Sequence, residues 1–156
     1  MTSVLFVCTG NICRSPTAEG VLRTLAAARG MADSVTVDSC GLIGYHVGEA
    51  PDHRSRRVAA GHGIHLDGMK ARKFRPADFQ QFDLIIAMDQ GHEEQLRDLA
   101  DGHQHDQIRL LSSFAPDRLE RDVPDPYYGT MADFHHTYAV IVAGCEALLD
   151  HLAAGS

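Results

Sequence analysis

No stretch of this 156-residue chain comes near the ~20 apolar residues of a membrane span; the longest, Ala139–Cys145, has the length of helix core. Basic residues are few, 14 Lys and Arg against 21 Asp and Glu, giving a formal charge of −7. They form no long run, so the concentrated positive face that phosphate-backbone binding needs is absent, and nucleic acid is not an expected partner. Arg54, Arg56 and Arg57 cluster, as do Lys70, Arg72, Lys73 and Arg75. These read as solvated helix faces that could also steer an anionic substrate. Cysteine is scarce, and no charged region with a cleavage site follows Met1. The expectation is a cytoplasmic protein whose four cysteines are free thiols or catalytic groups rather than disulfides.

Other absences narrow the chemistry. The histidine pairs His62/His65, His103/His105 and His135/His136 are not joined by cysteines or carboxylates at zinc-ligand spacing, so no metal is expected. No Gly-Lys-Ser/Thr follows a glycine loop, which excludes a P-loop nucleotide hydrolase. Nothing calls for a cofactor. Internal repeats, low-complexity tracts and linkers are missing too, so residues 1–156 read as a single domain.

What is present is an ordinary globular composition, 44% apolar and 22% charged, with a clear alternation of elements. Residues 3–8 read as a buried strand, followed by strands at 34–38, 83–88 and 107–111. Between them lie helical patterns. Ala18, Val21, Leu22, Leu25 and Ala28 repeat at helical spacing, with Ser15 an expected N-cap, Pro16 in the first turn and Gly30 a stop. Residues 52–61 and 90–100 read as further helices, and 112–130 as a long loop. Phe134, Tyr138, Val142, Cys145, Leu149 and Leu152 trace one face of a C-terminal helix. Continuous apolar strands alternating with helices predict an α/β fold: a four-stranded parallel sheet, Rossmann-like or flavodoxin-like, with helices on both faces.

The richest segment is Cys8-Thr9-Gly10-Asn11-Ile12-Cys13-Arg14-Ser15, between the first strand and the first helix. A strand end, a tight loop and a helix start make an anion cradle at the carboxyl edge of such a sheet. Arg14 adds a planar fork matched to two phosphate oxygens, and the positive field favours the thiolate of Cys8. Asn11 suits a left-handed backbone position in the loop. Together these residues imply covalent phosphoryl transfer through a cysteine.

Val-Cys-Thr-Gly-Asn-Ile-Cys-Arg-Ser-Pro at 7–16 resembles the phosphate loop of low-molecular-weight protein-tyrosine phosphatases, and Asp125-Pro126-Tyr127-Tyr128-Gly129 resembles that family's general-acid loop. Between them Val37-Asp38-Ser39, Pro51-Asp52-His53-Arg54, His62-Gly63-Ile64, Ala71-Arg72 and Met88-Asp89 follow the family spacing. The resemblance covers essentially the whole chain. It implies that Cys8 attacks phosphorus, Arg14 and the loop residues Thr9, Gly10, Asn11, Ile12, Cys13 and Ser15 hold the phosphoryl oxygens, and Asp125 is general acid and base. Asp122 is a nearby competitor for that last role. The resemblance also ties Asn11, Ser15 and Ser39 into a hydrogen-bond network supporting the loop. It makes Cys13 the partner of Cys8 in a reversible, protective disulfide. Cys40 and Cys145 fall on apolar patterns and read as buried.

Tyr45, Tyr127 and Tyr128, with Ile12, are candidates for the wall against a substrate ring. Arginine phosphatases of the superfamily tend to carry threonine at the position of Ile12, so the apolar residue favours a tyrosine substrate. The implied partner is a phosphotyrosine protein, a tyrosine kinase among the possibilities; the oligomeric state is open. An arsenate reductase of the same fold is the closest alternative. It needs two relay cysteines after the third strand, and residues 89–106 hold none. A non-catalytic phosphotyrosine-binding module is the other. The chain departs from the family at Ser39-Cys40-Gly41-Leu42, where Ser-Ala-Gly-Thr is usual. Gly68 and Met69 stand where some members carry a histidine in the serine network, which leaves open how that network is completed.

Overall fold

In a computed structural model, which describes residues 1–155, four parallel strands form one sheet in the order β2-β1-β3-β4. The strands are β1 (Thr2–Cys8), β2 (Val35–Gly41), β3 (Leu84–Ala87) and β4 (Ile108–Leu110). Five helices accompany them: α1 (Arg14–Ala28), α2 (His53–Gly61), the short α3 (Asp78–Gln81), α4 (Gln90–Leu99) and α5 (Met131–Ala154). Two 3-10 turns, Gly102–Gln107 and Leu111–Phe114, flank β4. The expected parallel α/β architecture is what forms. The third strand is shorter than the apolar run suggested, and α3 and both 3-10 turns carry too few residues to show a period.

β1 is buried from Val4 to Cys8, as its unbroken apolar run requires. Its side chains alternate between two cores. Val4, Phe6 and Cys8 join α1, α5 and Ile86 on one face, while Leu5 and Val7 join Phe74, Phe79, Leu96 and Ile108 on the other. Burial of each large side chain is worth roughly 1.5–3 kcal/mol, so β1 is the principal anchor of both layers.

α1 begins two residues earlier than a cap at Ser15 would place it. Cys13 stands at the N-cap position without a capping hydrogen bond from its side chain, and Ser15 lies inside the first turn, its hydroxyl turned inward to the anion loop. At the other end Gly30, at φ +72°, accepts the left-handed turn that ends the helix. α2 is capped by Asp52, whose carboxylate accepts the Arg54 backbone N–H at 2.8 Å.

α5 buries Phe134, Tyr138, Ile141, Cys145, Leu148 and Leu149. Its inward face is therefore centred on Ile141, and Val142, expected at its middle, is only half-buried. The helix is long and apolar enough to cross a membrane by length and composition, but its apolar stripe packs against α1.

The parallel order β2-β1-β3 reverses direction at β1, which opens a crevice outside the carboxyl ends of β1 and β3. Cys8 closes β1 there, and Met88 and Asp89 follow β3.

Candidate active site

The anion loop turns on Asn11, at φ +59°, the one non-glycine residue with positive φ among the described residues. Asparagine tolerates that backbone better than most residues, and here its side chain also holds the loop in place. Asn11 Oδ1 accepts the backbone N–H of Arg72 at 3.0 Å, while Nδ2 donates to Ser15 Oγ at 2.8 Å and Ser39 Oγ at 3.0 Å. Ser15 Oγ in turn lies 2.9 Å from Cys8 Sγ. Ser39 Oγ donates to Glu19 Oε1 at 2.6 Å, and Arg23 pairs with the other Glu19 oxygen at 2.6 Å. The end of the network that the sequence left open is thus a buried carboxylate, reached from the second turn of α1.

Gly41 lets the end of β2 approach this loop. A Cβ there would meet Thr9 O at 2.7 Å, Gly10 C at 2.9 Å and Asn11 N at 3.0 Å, all backbone atoms that cannot yield. The next two residues bond the same strand end, Leu42 N–H to Cys8 O and Ile43 N–H to Thr9 O, each at 3.0 Å. In the departing segment Ser39-Cys40-Gly41-Leu42, the glycine is the member that geometry demands.

Arg14 is 4% exposed, and its guanidinium is held from the β3 side. NH1 donates to Asp89 Oδ2 at 2.7 Å and to Val123 O at 3.1 Å, and NH2 stands 3.8 Å from Asp125 Oδ2. Asp89 also accepts the His92 backbone N–H at 2.9 Å as the N-cap of α4. These bonds hold the Asp89 carboxyl below its usual range despite burial, so it stays charged opposite Arg14. Asp89, His92 and Val123 were not singled out as site residues. The family spacing of Met88-Asp89 and the position of Asp89 just past a strand's carboxyl end were the signals for the first.

Asp125 tops the cavity from the long loop before α5. Its Oδ1 accepts the Tyr127 N–H at 3.1 Å, an Asx turn that fixes the carboxylate. Its competitor Asp122 is occupied elsewhere, accepting from the Gln90 backbone N–H at 2.9 Å and from its amide.

Cys8, Thr9, Gly10, Ile12, Cys13, Arg14, Tyr45, Asp125, Tyr127 and Tyr128 line one cavity of about 400 Å³, together with Ile43 and His46. Tyr45 and Tyr128 are rim residues, 83% and 94% exposed. Tyr127 is better fixed: Tyr128 stands edge-on to it at 4.9 Å between ring centroids, and the Arg54 guanidinium lies 5.5 Å from its ring. Arg54 is itself gripped through Nε and NH2 by Asp52. Arg72 bridges Asp38 and the fully buried Asp78. These two arginines therefore brace the fold and are not members of a free, solvated face.

Cys13 is buried, and desolvation with the nearby Asp52 charge pushes its thiol up to about 12. Cys40 and Cys145 are fully buried, as expected. Among the described residues no group of three or more His, Cys, Asp or Glu is placed to hold a metal ion. Two of the histidines have other uses, His62 stacking on Tyr138 at 4.4 Å and His136 pairing with Glu120 at 3.0 Å.

Known proteins resemble this chain over nearly its whole length. The profile of the family described as "Low molecular weight phosphotyrosine protein phosphatase" matches residues 3–155. The low molecular weight protein-tyrosine-phosphatase YfkJ of Bacillus subtilis is 42% identical over 149 residues, 96% of this chain and 94% of the relative. A protein tyrosine phosphatase from Entamoeba histolytica superposes with a TM-score of 0.95 at 34% identity, covering 99% of both chains. A Drosophila arginine phosphatase superposes at 0.89 with 35% identity, over 97% of this chain and 98% of its own. The chain belongs to the low molecular weight phosphotyrosine protein phosphatase family.

Proposed function

We propose that this protein hydrolyses phosphotyrosine in proteins, and small aryl phosphates, through a phosphocysteine on Cys8. The observation that carries the reading is that Cys8, Arg14 and Asp125 line one cavity at the switch point of the sheet. In the first step the Cys8 thiolate attacks phosphorus, an S–P bond forms and the P–O bond to the phenol breaks. Asp125, protonated at that moment, gives its proton to the leaving oxygen. In the second step water attacks phosphorus, Asp125 takes its proton, and the S–P bond breaks to return thiolate and inorganic phosphate. Arg14 and the loop amides hold the three non-reacting oxygens through both steps. Ser15, 2.9 Å from the sulfur, donates to it whenever it is anionic.

Ile12 and Tyr127 suit a flat phenyl ring, and the exposed Tyr45 and Tyr128 suit a protein surface beyond it. A phosphorylated tyrosine kinase is a substrate of this class. Cys13 is a protonated thiol in the resting enzyme; if peroxide converts Cys8 to a sulfenic acid, condensation with Cys13 releases water and forms the disulfide. Such buried, unpaired thiols fit a cytoplasmic setting. An arsenate reductase lacks support, because Cys40 and Cys145 are fully buried and make no relay to the cavity. Nor does any feature favour a binding module, since every group that turnover needs is present.

The arginine phosphatase among the structural neighbours makes phosphoarginine the second substrate to test. The experiment is hydrolysis of p-nitrophenyl phosphate in chelator, alongside phosphotyrosine, phosphoserine and phosphoarginine peptides. Phosphotyrosine is expected to be preferred, Cys8→Ser to abolish turnover, and Asp125→Ala to lower kcat about 10²–10⁴-fold. Preference for phosphoarginine would replace the substrate, and undiminished turnover in Cys8→Ser would remove the mechanism.

A further inference from the structure

The turn between β3 and α4 holds more of the anion loop than Arg14. His92, in the first turn of α4, is 3% exposed, and its Nε2 lies 2.8 Å from Thr9 Oγ1, the residue that opens the loop. Its other ring nitrogen, Nδ1, is buried without a hydrogen bond of good geometry, 3.2 Å from Asp89 Oδ1. Burial and the Arg14 charge push the ring down to about 4, so at pH 7 it is neutral and carries one proton.

Two placements of that proton are open. With the proton on Nε2, the Nδ1 lone pair would face a carboxylate oxygen in a dry environment, two acceptors abutting. With the proton on Nδ1, an N–H dipole points toward that anion, and the Nε2 lone pair is free to receive the Thr9 hydroxyl proton. The second placement removes the repulsion and satisfies Nε2 and Thr9 together. It also commits the Thr9 hydroxyl proton to His92.

We propose that His92 is a positioning residue for phosphoryl transfer. Its Nε2 accepts the Thr9 hydroxyl proton and fixes the entry of the anion loop, while Asp89 on the same turn fixes its exit through Arg14. Both ends of the cradle are thereby referred to one short, rigid turn at the carboxyl edge of β3. The proposal rests on the phosphatase reading, because what it positions is the cradle for the transferred group.

The test compares Thr9→Ser, Thr9→Val, His92→Ala and the double variant Thr9→Val/His92→Ala. Each is measured for kcat and KM on p-nitrophenyl phosphate and, separately, for affinity toward inorganic phosphate by calorimetry. Thr9→Ser keeps the hydroxyl and is expected to retain more of the parent's kcat/KM and phosphate affinity than Thr9→Val. Thr9→Val keeps the volume and loses the hydroxyl; kcat/KM is expected to fall about tenfold, with weaker phosphate binding, as for a small misplacement of binding groups. His92→Ala is expected to lose at least as much, and the double variant no more than the worse single one, because both break the same link. A Thr9→Val enzyme indistinguishable from Thr9→Ser would overturn the proposal, as would a double variant whose loss is the product of the single losses. Should His92→Ala fail to fold, the Thr9 pair decides alone. If the parent protein shows no phosphatase activity, that reading fails, and phosphate affinity across the Thr9 variants still reports on the clamp.

Discussion

Asn11 and His92 show two ways in which one side chain can hold the phosphate site. Asn11 is legible in the sequence because its left-handed backbone and loop position are local properties. Its hydrogen bond from Arg72 is not, because it depends on a segment brought in from beyond α2. His92 is a polar residue inside a polar helix start, and nothing in its neighbours marks it as buried. Its environment has a thermodynamic consequence. Arg14 lies on one side, the carboxylates Asp89, Asp122 and Asp125 around it, and burial lowers the ring from 6.5 to about 4. Between those values the unfolded chain binds a proton that the folded protein refuses. Stability therefore falls as pH drops through this window, by about 3 kcal/mol in all from this group. Urea unfolding between pH 7 and pH 4.5 is expected to show that slope, and His92→Asn is expected to flatten it. An unchanged slope in the variant would place the acid sensitivity elsewhere.

At the scale of elements, the strands and long helices were readable because continuous apolar runs and helical periods span enough residues to average out local exceptions. α3 and the 3-10 turns span too few. The start of α1 was misjudged for a functional reason. Ser15 has the chemistry of a cap, but its hydroxyl is engaged with Cys8 and Asn11, so the helix starts at Arg14 uncapped by a side chain. α5 gives a sharper test of packing. A Cβ on Gly144 would stand 2.5 Å from Leu111 Cγ, and Leu111 is itself fully buried. Gly144→Ala should therefore cost about 1–3 kcal/mol despite alanine's better helix propensity. Gly61, at the end of α2, has nothing within 4 Å of its missing Cβ. Gly61→Ala should gain several tenths of a kcal/mol, up to about 1. Urea midpoints that moved in the same direction for both would contradict this contrast.

Across the whole molecule, the site is assembled from segments far apart in sequence, and the sheet order does the assembling. Placing β1 between β2 and β3 brings Cys8, the Gly41 approach and Asp89 to one edge, and α5 anchors the loop that brings Asp125 over them. The loop motif and Asp125 were legible as chemistry, and the residues that hold the loop, Glu19, Asp89 and His92, were not legible as its supports. They contribute by meeting partners that only the folded chain supplies. The basic clusters show the same limit, since Arg54 and Arg72 are engaged in internal ion pairs that a linear count of charge cannot reveal. The central claim is that phosphoryl groups pass through Cys8. Rapid-quench mass spectrometry of the parent protein, mixed with excess p-nitrophenyl phosphate, tests it most directly. The expected result is a phosphoryl adduct on the Cys8 peptide, formed with a burst of p-nitrophenol no larger than one per enzyme and absent in Cys8→Ser. Turnover with no adduct on Cys8, or with the adduct on another residue, would contradict it.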